Sequence, residues 1–334
     1  MMVVMVAVAL LVIVVVLMTV VVVLLVIMLM VMFVVLLAFV PVDGCHPRRR
    51  SHDLLKVKGF GVEQQVEIHV AIVAGDDGGL RLDVAYCLDG DFVRRLRAFT
   101  GGLKPEFVLI GEMLHGDYKR MVNGAMLHSA TNYECYKGLY SSFNSMNLFE
   151  IGHSLARQFG PEAWTLYKGL PLLSFADNHD VTRVATILTN KEHLWPLYGI
   201  LFGMPGVPCV YYGSEWGMEG GKEDGDAALR PAVDMPQKNG LTEYIARLAA
   251  ARRGSRALCH GAYRTVLLTN RQYIFERAAE GERVLVAVNA EGEPFDAHFD
   301  AGAGRAVDLV TGRPHDFGGG SRLAPYSAAY WRVE

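Results

Sequence analysis

The sequence predicts an α/β sheet or barrel followed by a small antiparallel β-sandwich. Two observations carry that expectation. From Gly79 to about residue 255, strand-like runs alternate with helical ones, a pattern that demands parallel pairing through right-handed crossovers. From residue 260 to the C-terminus the helical runs stop, and short strand-like runs follow one another between Glu-Gly and Gly-Gly-Gly turns. The boundary between the two parts is expected near residue 255.

Taken in order, the first segment is residues 1–42, where only Thr19 and Pro41 fall outside Ala, Val, Ile, Leu, Met and Phe. About 20 apolar residues suffice to cross a bilayer, and this tract is roughly twice that long. No basic residue precedes it, so it lacks the charged start of a signal peptide. Arg48 to Arg50 follow it, which on the positive-inside rule leaves the bulk of the chain in the cytoplasm. A second reading stands beside the membrane anchor: nearly every residue here has a codon with T in the middle, as a repetitive nucleotide tract or wrong reading frame produces. Residues 43–78 form an unassigned linker with no clear element.

The alternating region, 79–255, then runs "GLRLDVAY", "DFVRRLRAFTGGL", "PEFVLIGE", "MLHSATNY", a helical "SMNLFEIGHSLARQF", "PLLSFADNHD", a helical "NKEHLWPLYGILFGM", "VPCVYYGSE" and a helical "GLTEYIARLAAARRG". The strand-rich region, 256–334, reads "YRTVLLT", "QYIFERAA", "RVLVAVNA", "AHFDAG", "RAVDLVT" and "SAAYWRVE".

Composition narrows the class of function. A net charge of -3 argues against a nucleic-acid partner, because phosphate binding needs a basic face. The hydrophobic share of 51% is inflated by the apolar tract. Cys45, Cys87, Cys135, Cys209 and Cys259 are odd in number and contain no CxxC pair. They read as reduced, mostly buried thiols of a cytosolic protein rather than a disulfide frame or zinc site.

In an α/β barrel the side chains that do chemistry project from the C-terminal ends of the strands. The groups placed there are Arg81 and Asp83 in "GLRLDVA", Glu112 in "VLIGEMLHG", and Asn178, His179 and Asp180 in "SFADNHD". Three successive strand ends thus offer a carboxylate to one face. Each has a structural alternative: an Arg81–Asp83 ion pair, a helix cap at Glu112, a turn or N-cap at Asn178 and Asp180. Together they suit glycoside hydrolysis, where one carboxyl protonates the leaving oxygen and another attacks or shelters the oxocarbenium-like carbon. A guanidinium beside the nucleophile keeps it ionised, and a nearby carboxylate raises the pKa of the acid.

At these residues the chain resembles the α-amylase family, glycoside hydrolase family 13, and within it the cyclomaltodextrinase and neopullulanase-like bacterial α-glucan hydrolases. The motifs that carry the likeness are "GLRLDVA", "GEMLHG" and "FADNHD", supported by "MPGVPCVYYGSEWGMEG", by "DGDAALRP" at 224–231, and by the terminal β-sandwich. The resemblance spans Gly79 to Glu334 and implies a (β/α)8 TIM barrel of which about strands 4 to 8 are recognisable. It implies a retaining mechanism through a glycosyl-enzyme on Asp83, with Arg81 as its partner, Glu112 as acid/base and Asp180 stabilising the transition state. Asn178 and His179 would bind substrate, an α-1,4-glucan or maltooligosaccharide. Trp216 is expected to stack on sugar faces, whereas Tyr211 and Tyr212 are expected to pack in the barrel. His115 is either an acceptor-subsite residue or a simple loop histidine.

The family's first three strands and their DxxxNH-type motif have no counterpart in residues 1–78. An open five-strand remnant would expose sheet edges, which predicts poor solubility or a partner that completes it. Calcium ligands that some members take from that region are absent too, so no metal is expected, and nothing suggests a nucleotide or redox cofactor. The resemblance and the cysteines favour the cytoplasm, or a membrane surface if residues 1–42 are genuine. A homodimer is left open. An inactive or membrane-tethered amylase-like protein is the competing function.

Overall fold

The computed structural model describes residues 78–334 together with one two-residue strand, β1 (Ile68–His69). The apolar tract, its membrane-anchor reading, Cys45 and the rest of the linker lie outside the described residues. Among the described residues no helix is long and apolar enough to cross a membrane.

Five short strands, β2 (Gly79–Leu82), β3 (Val108–Gly111), β4 (Ser129–Ala130), β5 (Leu173–Phe175) and β6 (Val207–Cys209), pair in parallel with their sequence neighbours. A parallel bridge between Thr131 and Leu173 links β4 to β5, and Asn132 N–H donates to Leu173 O at 2.8 Å. Strands in sequential order with helical crossovers are the barrel arrangement that the alternation predicts. On the outer side of β2 lies β1, antiparallel, with Ile68 opposite Leu82. It falls inside the segment where the sequence offers no clear element.

The helices follow local signals. Asp89 caps α1 (Gly90–Leu103) by accepting from Phe92 N–H, and the helix buries Val93, Leu96 and Thr100. Asn132 caps α2 (Tyr133–Asn144), a helix that the sequence reading misses because its Tyr, Cys, Ser and Asn residues are middling helix formers. It packs on α3 (Phe149–Phe159), while α4 (Val184–Ile187) is a single turn after β5. Next comes α5 (Leu194–Gly203), apolar on every side and buried along its length except at the half-buried Trp195. That pattern fits its position, since it is packed against α7 (Gly240–Arg253) and against the C-terminal sheet. Between them lies α6 (Asp226–Leu229), and α8 (Arg256–His260) precedes the sheet.

The C-terminal part is a six-stranded antiparallel sheet in the order β12-β11-β14-β9-β8-β7, faced by the pair β10-β13. Its strands are β7 (Ala262–Leu268), β8 (Gln272–Ala279), β9 (Glu282–Asn289), β10 (Phe295–Ala297), β11 (Arg305–Asp308), β12 (Pro314–Asp316), β13 (Ser321–Leu323) and β14 (Ser327–Val333). Two strands, β12 and β13, lie where the sequence reads only turns, and β10 begins two residues before the expected run. At three residues each, these strands are too short to display alternation. Strands β8 and β9 are buried for most of their length because the sheet has a core on each side. One side faces α5; on the other, Ile274, Leu285, Leu323 and Trp331 form the sandwich interior.

One close approach fixes the α5–sheet distance. Tyr330 O–H donates to Gly199 O at 2.6 Å, and a Cβ on Gly199 would stand 2.3 Å from the Ala328 Cβ. Gly199→Ala is therefore expected to cost about 1–3 kcal/mol by overpacking. A thermal melt checks it, and an unchanged midpoint would mean that helix and sheet separate freely.

The thiols depart from expectation. Of the described cysteines only Cys135 is buried, Cys209 and Cys259 are half-buried, and Cys87 is exposed in the turn after β2. It closes the short helical turn Ala85–Cys87 after the strand, of which only Ala85 is buried.

Candidate active site

Register places the first two carboxylates side by side. Leu82 of β2 pairs with Gly111 of β3, and the ladder runs on as Glu112 N–H donates to Leu82 O at 2.8 Å and Ala85 N–H to Glu112 O at 2.9 Å. Asp83 and Glu112 thus leave adjacent parallel strands at one level. Arg81 lies between them, with Nη1 at 2.5 Å from Asp83 Oδ1 and Nη2 at 2.9 Å from Glu112 Oε1. The Arg81–Asp83 ion pair exists and extends to the second carboxylate. Immediately beyond Asp83, Val84 sits in the left-handed region at φ 45°, a conformation unfavourable for a β-branched residue. Its N–H points to Glu112 Oε2 at 3.4 Å.

Glu112 is nearly enclosed, at 5% exposure. Burial pushes its pKa up, the Arg81 charge and the Val84 N–H oppose this, and the neighbouring Asp83 carboxylate adds to the rise. The net effect is upward, the direction a general acid needs.

The third carboxylate is not on the next strand, as the sequence implies, but one strand further. Between them β4 ends in Thr131 and Asn132, which do structural work: Thr131 Oγ1 accepts from Met113 N–H at 2.9 Å, and Asn132 exchanges amide bonds with Gln158 at 2.8 and 3.1 Å. The gap is crossed by Tyr133, the first residue of α2. Its hydroxyl donates to Glu112 Oε1 at 3.3 Å and accepts from Asn178 Nδ2 at 3.0 Å.

Beyond β5, Asn178 Oδ1 accepts from Asp180 N–H at 2.8 Å, an Asx turn that aims the following residues. His179 Nε2 lies 3.0 Å from Asp180 Oδ2, and Arg230 Nη2 reaches Asp180 Oδ1 at 3.0 Å while its Nε donates to His179 O. Asp180 caps no helix, because Arg183 is the N-cap of α4. Contacts therefore run in a continuous path from Asp83 through Arg81, Glu112, Tyr133 and Asn178 to Asp180.

The family description of the alpha amylase catalytic domain matches residues 79–255. This chain belongs to the α-amylase family. It is 27% identical over 294 residues to the cyclomaltodextrinase of Geobacillus thermopakistaniensis (strain MAS1), covering 82% of this chain and 46% of that one. Neopullulanase 2 of Thermoactinomyces vulgaris is 30% identical over 250 residues, 72% of this chain and 40% of that one. The chain thus spans less than half the length of these curated relatives. Among solved structures, the cyclomaltodextrin glucanotransferase CldA matches with a TM-score of 0.67 at 20% identity, over 77% of this chain and 56% of that chain. Ttha1563 from Thermus thermophilus matches with a TM-score of 0.63 at 26% identity, over 77% of this chain and 59% of that chain. These likenesses place the barrel strands and the C-terminal sheet in the α-amylase fold.

In this α-amylase family chain two site residues escaped the sequence reading. Tyr133 closes the strand-like run "MLHSATNY", and a search confined to charged strand ends passes over it. Arg230 lies within "DGDAALRP", and nothing local marks it as the partner of Asp180. Two other expected residues line cavities beside the carboxylate path. His115 packs its ring on Tyr86 at 4.6 Å and lines a cavity of about 760 Å³ that Tyr133 also borders. Trp216 lines a different cavity, whose wall includes none of the three carboxylates. Tyr211 and Tyr212 lie over the Arg183 guanidinium, at 4.2 and 5.0 Å; Tyr211 is half-buried, whereas Tyr212 is exposed, against the expectation that it packs in the barrel. A cation with its charge spread over a plane prefers ring faces to a purely aliphatic wall. Among the described residues no cluster of three His, Cys, Asp or Glu side chains is arranged to hold a metal ion.

Behind the site, Asp177 is only 2% exposed and accepts from Val184 N–H at 2.7 Å and from Ser214 Oγ at 2.8 Å. Burial outweighs these bonds and the Arg183 charge, so its pKa is pushed up to about 6. The folded chain then keeps a proton that the unfolded chain releases near pH 4, and stability falls as pH rises from about 4 to about 6. The span corresponds to about 3 kcal/mol at most. Glu112 acts in the same direction, so the difference between the parent and Asp177→Asn isolates the effect. Melts between pH 4 and 7 are expected to show that the variant loses this part of the slope; parallel curves would refute it.

Proposed function

We propose that this chain is a retaining glycoside hydrolase acting on α-1,4-glucans and maltodextrins, in the manner of cyclomaltodextrinases and neopullulanases. Asp83 attacks the anomeric carbon as Glu112 gives its proton to the departing glycosidic oxygen, which leaves a glycosyl ester on Asp83 and a free sugar hydroxyl. Glu112, now a carboxylate, takes a proton from water; the hydroxide equivalent displaces Asp83 and restores both groups. Arg81 favours the charged form of Asp83. Asn178, His179 and Asp180 hold the ring's hydroxyls, and Asp180 offers negative charge to the oxocarbenium-like carbon. In this reading residues 79–255 are the catalytic part and 256–334 a supporting β-sandwich.

The observation that carries the proposal is the in-register exit of Asp83 and Glu112 from paired parallel strands, bridged by one guanidinium, with Glu112 shielded from water. An ion pair serving stability alone gains nothing from a third carboxylate reached through Tyr133 and Asn178. A cytoplasmic setting belongs to the same proposal and accords with a relative named intracellular maltogenic amylase, from Bacillus subtilis, 27% identical over 192 residues. The test is release of reducing sugar from maltodextrin and from a cyclodextrin by the parent and by Glu112→Gln. A folded parent with no release would overturn the assignment.

A further inference from the structure

Two of the chain's tryptophans, Trp195 and Trp216, line a single cavity of about 340 Å³ that none of the catalytic candidates borders. Trp195 belongs to α5 and Trp216 to the short turn Ser214–Trp216, so distant segments bring two large ring faces to one place. Both rings are half-buried, which leaves part of each surface open to a ligand. Trp195 is steadied by Tyr244, with ring centroids 5.1 Å apart, and the backbone around Trp216 by Asn239 Nδ2, which donates to Trp216 O at 3.0 Å.

The rest of the wall is mixed, with Ala185, Leu194 and Leu241 beside a polar rim. Lys191 Nζ lies 2.8 Å from Glu219 Oε1, and Glu192 and Asn239 complete the rim. Lys191 and Glu219 neutralise each other, which disfavours a strongly charged ligand. A volume at the lower end of small-molecule sites, apolar ring faces and a few hydrogen-bonding groups suit a neutral ring with one C–H face and a rim of hydroxyls. A glucose unit has that form.

The cavity is also tied to the catalytic loop. Gly220, next to Glu219, accepts from Arg183 N–H at 2.9 Å and donates to Thr186 Oγ1 at 2.8 Å, while Lys222 N–H donates to Thr182 Oγ1 at 3.1 Å. Thr182 and Arg183 stand two and three residues beyond Asp180.

We infer that the cavity lined by Trp195 and Trp216 is a second carbohydrate site, which holds glucose units of an α-glucan chain outside the catalytic cleft. The choice of glucan rests on the proposed function, but the binding can be measured without turnover. The tryptophans stack on the sugar faces, and Lys191, Glu192 and Glu219 exchange hydrogen bonds with hydroxyls at the rim.

The experiment uses the full chain carrying Glu112→Gln and measures its retardation in a native gel containing amylopectin. Adding Trp195→Ala or Trp216→Ala is expected to weaken retention about five- to tenfold. Adding Asp180→Ala instead, which damages the catalytic cleft, is expected to leave most of the retention in place. Because Trp195 also packs on Tyr244, Glu219→Ala at the exposed rim serves as a variant that removes a ligand group without touching the core, and it is expected to weaken retention severalfold. The inference fails if the tryptophan and Glu219 variants are retained like their parent, or if Asp180→Ala alone abolishes retention. It fails also if the Glu112→Gln chain is not retarded at all. Sugar release by the parent chain in that last case would leave the catalytic proposal standing while the second site falls.

Discussion

Glu112→Gln is expected to lower kcat/KM for maltodextrin by about 10²- to 10⁴-fold, the range that loss of a positioned general acid produces. Glutamine keeps the size of the side chain, so an amide oxygen still accepts from Arg81 and from the Tyr133 hydroxyl, and the fold is expected to survive. What disappears is the proton that must reach the glycosidic oxygen. An aryl maltoside with an acidic phenol as leaving group needs little of that proton, so its first step is expected to suffer far less than maltodextrin cleavage. Burial of Glu112 sets the pH dependence. The acid works only while protonated, its pKa is raised, and the alkaline limb of the parent's profile is expected above the ordinary range for glutamate. In the variant that limb should vanish. Equal loss on both substrates, or a limb that persists, would remove Glu112 from the acid's role.

The ease with which Glu112 was found, and Tyr133 missed, has a physical origin. Strands β2 and β3 are short apolar runs that stop at a charged residue, so an observer who expects chemistry at strand ends finds Asp83 and Glu112 at once. Strand β4, Ser129–Ala130, lies within the strand-like run "MLHSATNY", but that run ends at an uncharged residue, Tyr133. A search confined to charged strand ends therefore passes over both Tyr133 and the extra strand between Glu112 and Asp180. Arg230 and Ser214 take their roles from tertiary contacts, 50 residues from Asp180 in one case and 37 from Asp177 in the other. Trp216 shows that residue type does not give position. Its chemistry suits a sugar, and the sequence places it near the motif, yet the turn after Gly213 carries it to another cavity. Side-chain type was legible, whereas direction depended on a glycine in the left-handed conformation at φ 89°.

Removing the Arg183 guanidinium is expected to have the largest effect on stability. The residue is fully buried, and its fork donates to Tyr212 O at 2.5 Å, Ser214 Oγ at 3.2 Å and Leu229 O at 2.8 Å beneath the Tyr211 and Tyr212 rings. Arg183→Ala leaves those acceptors without a donor, opens a cavity and strips Asp177 of a nearby positive charge, together about 3–5 kcal/mol. A melt should register this as a fall on the order of 10 °C. Lysine restores charge but not the planar fork, so Arg183→Lys is expected to recover only part of the loss. The pH dependence separates charge from packing. Arg183 holds the Asp177 pKa down, so its loss lets that pKa climb beyond about 6. The folded variant then retains the Asp177 proton over a wider interval, and its deficit against the parent should widen between pH 6 and 7. A deficit that stays constant over that interval would assign the effect of Arg183 to packing and backbone hydrogen bonds alone. A deficit below about 1 kcal/mol would mean that water enters and satisfies the acceptors, and that the Asp180 loop does not depend on this cation for its place.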